Sequence, residues 1–434
     1  MQASPGSRLR RLLPLLALGL APLPLAAQSD ADISGQISGR SFTRIKIATP
    51  AAAAEPPARD AADEVLATIR DDLEFSGFFD VVDPALYRLV PPAPPGSPRH
   101  ADWSAIGADA LVETRVGTAG RRIDVEARLH DNPSGTLLFA RRYGGDLELA
   151  RRVAHQVSDD LVRHYTGRSG VALTRIAFVS RHGTGKEIYL MDYDGRRVRR
   201  LTTTGTINLS PAWSPDAEEL AFVSWRGRQP GIYRMSAEGE LRRLESVAGE
   251  LSAAPDWSPD GSQIVYSSDP DGNTELYLLD VARGRNRRLT HNPAIDTSPA
   301  FSPNGREIAF TSDRSGSPQI YLCDAEGLNV RRLTRTGGYN DSAAWSPRAD
   351  RLAYASRVEG RFQIFVLDLA SERAVALTEG PGNNENPRWS PDGRHLVFAS
   401  DRAGSYDIYT MRADGSDVRR LTRGGDAYTP DWSR

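Results

Sequence analysis

The chain has 434 residues, 39% of them hydrophobic, enough to bury a large core and to make two domains the natural expectation. Lys and Arg number 54 against 56 Asp and Glu, so no basic excess marks a nucleic-acid binder. A single cysteine, Cys323, excludes an internal disulfide, and its apolar strand context marks it as a small buried residue.

Residues 1–27 read as a secretory signal peptide. Arg8, Arg10 and Arg11 precede the apolar run Leu12 to Leu25, and Leu-Ala-Ala-Gln suits cleavage near Ala27. The run is too short and too rich in proline to span a membrane. General export is expected; Arg10-Arg11 is the only hint of the twin-arginine route. A large exported chain held by packing rather than disulfides fits a bacterial periplasm. Residues 28–40 are polar, without hydrophobic period, and read as a flexible tail.

Residues 41–167 predict a small α/β domain. Thr43 to Ala48 alternates as a strand, and Ala51 to Arg59 is an Ala/Pro loop. Ala62, Val65, Leu66, Ile69 and Leu73 then fall on one face of a helix from Asp60 to Ser76, stopped by Gly77. Strands are expected at Phe78 to Val82, Ala110 to Val116, Ile123 to Leu129 and Leu137 to Tyr143, with a proline-rich loop at Pro91 to Pro98. A second amphipathic helix, Leu147 to Tyr165, buries Val153, Ala154, Val157 and Leu161 before Gly167.

Residues 168–434 carry a repeat with a step of 44: Trp213-Ser-Pro-Asp, Trp257-Ser-Pro-Asp-Gly, Phe301-Ser-Pro-Asn-Gly, Trp345-Ser-Pro and Trp389-Ser-Pro-Asp-Gly, followed 43 residues on by a truncated Trp432-Ser433-Arg434. An aromatic at Tyr189, Tyr233, Tyr277, Tyr321, Phe365 and Tyr409 keeps the same step, as does a serine from Ser180 to Ser400. Each unit holds four runs of strand length separated by turn residues, the arithmetic of a propeller blade. The first unit begins on its second strand, at Arg175 to Ser180, and the missing inner strand returns as Tyr428 to Ser433. The fold expected is therefore an α+β N-terminal domain followed by an all-β six-bladed propeller closed by its C-terminal strand, which leaves no free blade edge. No Gly-His or Trp-Asp pair recurs, which disfavours a WD-repeat identity.

Catalytic chemistry is sparse. The seven histidines lack ligand spacing with a third Cys or carboxylate, His155 reads as a structural helix residue, and no nucleophile elbow or phosphate-binding glycine loop occurs. Asp269-Pro270-Asp271-Gly272 reads as a solvated turn. No cofactor, metal or catalytic residue is assigned. What the repeat offers is a surface: the segments entering the inner strands lie at one mouth of the channel. They contribute Asn208, Leu209, Leu251, Ser252, Asp296, Thr297, Asn340, Asp341, Asn384, Glu385 and Tyr428. Loops carrying Arg181, Arg226, Asp313, Arg314, Arg357, Asp401 and Arg402 emerge on the same side. Six polar loops on a rigid ring suit a protein loop or peptide. The competing reading is a propeller enzyme or small-ligand binder of lyase or peptidase-accessory type, for which Tyr428, Asp296, Asp341 and Glu385 lack a basic catalytic partner.

Arg152-Val-Ala-His-Gln-Val-Ser-Asp-Asp160, Tyr165-Thr-Gly-Arg-Ser-Gly170, Thr174-Arg-Ile-Ala-Phe-Val179 and Asp71-Asp-Leu-Glu-Phe-Ser-Gly-Phe-Phe79, with the Trp-Ser-Pro-Asp-Gly repeat, resemble the TolB family of the periplasmic Tol–Pal system. The resemblance runs over nearly the whole chain after the signal. It implies a non-enzymatic interaction protein whose channel mouth docks the lipoprotein Pal. It also implies an N-terminal tail, with Asp30, Asp32, Ile33, Ser34 and Gly35, that binds TolA or lies against the body of the protein. Contacts with other outer-membrane proteins, support of envelope integrity and of constriction at division, and the absence of nucleic-acid binding or membrane spanning are further implications. Thr49-Pro50-Ala51 and Leu251 depart from the family pattern.

Overall fold

The computed structural model describes residues 44–94, 96–227, 229–237, 239–244 and 252–434, Ser252 by its backbone alone. The expected signal, the tail with Asp30 to Gly35, and Leu251 lie outside the described residues.

The N-terminal sheet has the order β3-β1-β4-β5-β6, with β1 Ile45–Ala48, β3 Phe79–Val81, β4 Ala110–Ala119, β5 Arg122–Asp131 and β6 Thr136–Asp146; the two-residue β2, Ala53–Ala54, pairs parallel with β4. Helices α1 (Arg59–Ser76) and α3 (Ala150–Thr166) pack on one face. Val65, Ile69, Leu73, Val153, Val157 and Leu161 meet Val112, Val125 and Leu129 there, all buried. This is the i, i+3, i+4 stripe that drives an amphipathic helix onto a sheet. Gly77 ends α1 in the left-handed region (φ 70°), its N–H returning to the Glu74 carbonyl, and Gly167 ends α3 likewise (φ 69°). β2 and a short helix α2, His100–Ala105, are additions to the sequence expectation; α2 forms because Trp103 buries against Tyr87 (ring centroids 5.3 Å).

The remainder is six four-stranded antiparallel sheets. Blade 1 takes its inner strand from the C-terminus, in the order Ala427–Trp432, Arg175–His182, Gly185–Asp192, Arg199–Arg200. Inner strands of blades 2 to 6 are Asn208–Trp213, Ser252–Trp257, Asp296–Phe301, Asn340–Trp345 and Asn384–Trp389. The repeat motif does three jobs. Its serine and glycine close the turn, as when Gly261 N–H reaches Ser258 O at 2.9 Å. Its serine hydroxyl accepts the N–H that opens the second strand, Gln263 to Ser258 at 2.9 Å. Its tryptophan joins neighbouring blades: the indole N–H of Trp257, Trp345 and Trp389 donates to the carbonyl of Ala212, Ala300 and Ala344, each at 3.1 Å. Cross-strand aromatic pairs, from Phe178–Tyr189 at 5.7 Å to Phe398–Tyr409 at 5.9 Å, fill each blade. Cys323 is buried, and burial pushes its thiol up to about 12.

The N-terminal domain meets the ring through the end of α1. The Phe75 ring stacks on His395 (centroids 4.1 Å, planes 10° apart), whose Nε2 lies 2.9 Å from Phe75 O. Arg394 donates to Ser76 O and Gly77 O, and Arg412 to Glu74 O, so propeller cations cap the helix C-terminus. Beneath them Asp72 accepts from Tyr193 Oη (2.5 Å) and His155 Nδ1 (2.8 Å), the structural role expected of His155.

Candidate docking site

Each inner strand begins with a β-bulge. The pairing register shifts after Leu209, Ala253, Thr297, Asp341, Glu385 and Tyr428. The next residue, Ser210, Ala254, Ser298, Ser342, Asn386 or Thr429, sits in the left-handed region at φ 41–57°. Left-handed backbone at six non-glycine residues is costly, and it persists only where surrounding structure over-determines it. Here it sets which side chains of the segment face inward.

That setting divides the expected mouth residues. Asn208, Asp296 and Asn340 are fully buried and Asn384 nearly so, inside their blades rather than on the rim, against the expectation. Each closes a polar knot at the blade end. Asn208 Nδ2 donates to Glu187 (2.9 Å), Asn340 Nδ2 and Asn384 Nδ2 to Gln319 and Gln363 (2.8 Å each), and Asp296 receives Arg314 at 2.7 Å. Among the described residues a threonine hydroxyl completes the knot in five blades, Thr202 to Glu187, Thr290 to Glu275, Thr334 to Gln319, Thr378 to Gln363 and Thr422 to Asp407. Buried polar groups hydrogen-bonded in this way rigidify a site rather than contact a partner, although Asn208 Oδ1 and Asn340 Oδ1 accept no hydrogen bond among the described residues. The loop residues Arg314 and Arg402 also fold inward, their Nε on Ser312 and Ser400, while Asp313 and Asp401 accept the N–H of Ile295 and Asn383.

Leu209, Thr297, Asp341, Glu385 and Tyr428 remain half-exposed at the opening. Around them the rim exposes apolar groups absent from the sequence expectation: Ile207 (42%), Ile295 (51%) and Val358 (42%), with half-buried Tyr339, Phe362 and Tyr406. Ile207, Ile295 and Tyr339 occupy one repeat position, before the inner strand, and could have been found by that alignment. Apolar groups within a polar surround are the composition of a protein-docking surface. Glu385 accepts from Tyr406 Oη at 2.8 Å; burial and the nearby Asp401 and Asp341 push its carboxyl up despite that bond.

The channel's other end is a cavity of about 340 Å³ lined by Asp256, Arg388, Asp431 and the repeat aromatics. Arg388 lies 3.4 Å from Asp431, whose other oxygen accepts Trp213 N–H at 2.7 Å, and burial pushes Asp431 up to about 6. Among the described residues no three His, Cys, Asp or Glu side chains are grouped to hold a metal ion. Nor is any helix there long and apolar enough to cross a membrane.

A family model described as the TolB amino-terminal domain matches residues 35–138, and one described as the TolB beta propeller domain matches residues 162–364 and 338–434. A Tol-Pal system protein TolB of Geobacter sulfurreducens is 39% identical over 157 residues, 36% of either chain. Another, of Anaeromyxobacter sp., is 37% identical over 214 residues, 49% of either chain. The chain thus spans about half or less of the length of these curated relatives. The crystal structure of TolB from Acinetobacter baumannii superposes with a TM-score of 0.79 at 27% identity, covering 90% of this chain and 97% of that one.

Proposed function

The chain belongs to the TolB family, and we propose that it acts in the periplasm as a non-enzymatic component of the Tol–Pal system. In this reading the propeller mouth docks Pal, and the tail at residues 28–40, preceding domains at 41–167 and 168–434, binds TolA. Together they support outer-membrane integrity and envelope constriction at division. The observation that carries the reading is the rim itself: Ile207, Ile295 and Val358 stand exposed, with Tyr339 half-buried, on a ring whose loops are tied down by buried polar knots. A surface pre-ordered in this way loses little conformational entropy on docking. A tail that is either free for TolA or held against the protein couples the two partners by shifting populations, to the extent that its affinities differ.

Calorimetry with purified Pal and TolA tests both halves. Ile207→Arg with Ile295→Arg is expected to weaken Pal binding at least tenfold, and unchanged affinity would remove the mouth from consideration. Deleting residues 28–40 is expected to abolish TolA binding and spare Pal binding; loss of both would contradict two separate sites.

A further inference from the structure

We propose that docking is concentrated on one arc of the mouth, blades 5, 6 and 1, where aromatic rings and two carboxylates receive a lysine or arginine side chain of the docked protein. This rests on the mouth-docking reading above and adds where the contact is made and with what chemistry.

The mouth is chemically lopsided. On blade 5, Tyr339 and Phe362 meet edge to face at 5.3 Å; between blades 6 and 1, Tyr406 and Tyr428 meet at 5.1 Å. At the corresponding inner-strand positions, blades 2 and 4 present Leu209, Ser210, Thr297 and Ser298, uncharged and without a ring. Asp341 and Glu385 lie on adjacent blades of the aromatic arc, whose inner strands are linked by Asn386 Nδ2 to Ser342 Oγ at 3.3 Å. Their hydrogen bonds come from neutral groups: Thr311 Oγ1 to Asp341 at 2.7 Å and Tyr406 Oη to Glu385 at 2.8 Å. Among the described residues neither has an ion-pair partner, whereas Asp426 on the same rim holds Arg181 at 3.0 Å and Asp296 within its blade holds Arg314.

A docking protein that covers these carboxylates strips their water, which is costly unless it brings a cation. Aromatic faces beside them add cation–π attraction. The arc already uses that attraction once, with Lys186 Nζ at 4.6 Å from the Tyr428 ring centre. An acidic partner surface would be repelled, so the occupant is a basic side chain carried on a protein loop.

The probe is purified Pal, titrated calorimetrically at low and high salt. Glu385→Gln and Asp341→Asn are each expected to weaken binding about tenfold at low salt and to flatten its salt dependence, and Tyr428→Ala to weaken it about fivefold; Thr297→Ala stays within about twofold. Should Glu385→Gln fail to fold, the Asp341→Asn and Tyr428→Ala arms carry the test. Neutral carboxylate variants alongside a disruptive Thr297→Arg would overturn the arc and leave mouth docking standing. If these variants and Ile207→Arg with Ile295→Arg are all neutral, mouth docking itself falls.

Discussion

Trp432→Ala tests whether the last strand completes blade 1. Trp432 is 4% exposed, packs near Phe75 (6.5 Å between rings), and its indole N–H donates to Thr174 Oγ1 at 2.7 Å. A buried tryptophan removes about 200 Å² from water, worth roughly 5 kcal/mol at about 25 cal/mol/Å². Because the unfolded chain already covers part of that area, about 4 kcal/mol is the working figure, within the range for deleting a core aromatic. At about 2.1 cal/mol/K per residue, over the unit Arg44–Arg434, that lowers Tm by about 5 °C. The control is Trp389→Ala, the same repeat position in mid-chain, 7% exposed with its indole on Ala344 O. Differential scanning calorimetry should find the two variants equally destabilised. A terminal tryptophan in an open array would fray with the chain end, so a Trp432→Ala loss under about 1 °C beside an intact Trp389→Ala loss would refute ring closure.

Two further outcomes follow from buried polar groups. Burial holds His395 down to about 4, whereas an unfolded histidine protonates near 6.5. The unfolded chain therefore gains a proton first as pH falls, and the stability lost between about pH 6.5 and 4 approaches 1.4 kcal/mol per pH unit. Urea melts of His395→Gln should show a shallower acid slope over that window, and parallel slopes would contradict the assignment. Asp296→Ala leaves Arg314, 17% exposed, facing a buried vacancy, which costs about 3 kcal/mol; a thermal melt within 1 °C of the parent would show that the pair is not a structural tie.

Much of the architecture was legible because one unit repeats. The tryptophan (phenylalanine at 301), the serine and the strand aromatics recur from blade to blade, so they keep step, and the strand missing at Arg175 announced the one at Trp432. The amphipathic stripes and terminal glycines of α1 and α3 were legible for the same physical reason. The two-residue β2 and the six-residue α2 were not, since neither is long enough to carry a period and each is fixed by tertiary contacts such as Trp103 on Tyr87. The site was half legible. Position in the repeat located the mouth, but the left-handed residue after Thr297 or Glu385 decides which neighbour turns inward, and no residue type announces it. Asp296 and Asn340 therefore looked like rim groups. The buried acceptors of the knots, Glu187, Glu275, Gln319, Gln363 and Asp407, did recur at the 44-residue step, with Gly231 at the remaining place, a signal that would have identified the knots.

Hydrogen–deuterium exchange of the full chain with and without Pal tests the central claim most directly. The account predicts added protection at residues 207–210, 295–298, 339–342, 384–386 and 427–429, strongest in the last three segments, with the outer strands unchanged. Protection confined to the N-terminal sheet or to the outer strands, with those five segments unaltered, would contradict it.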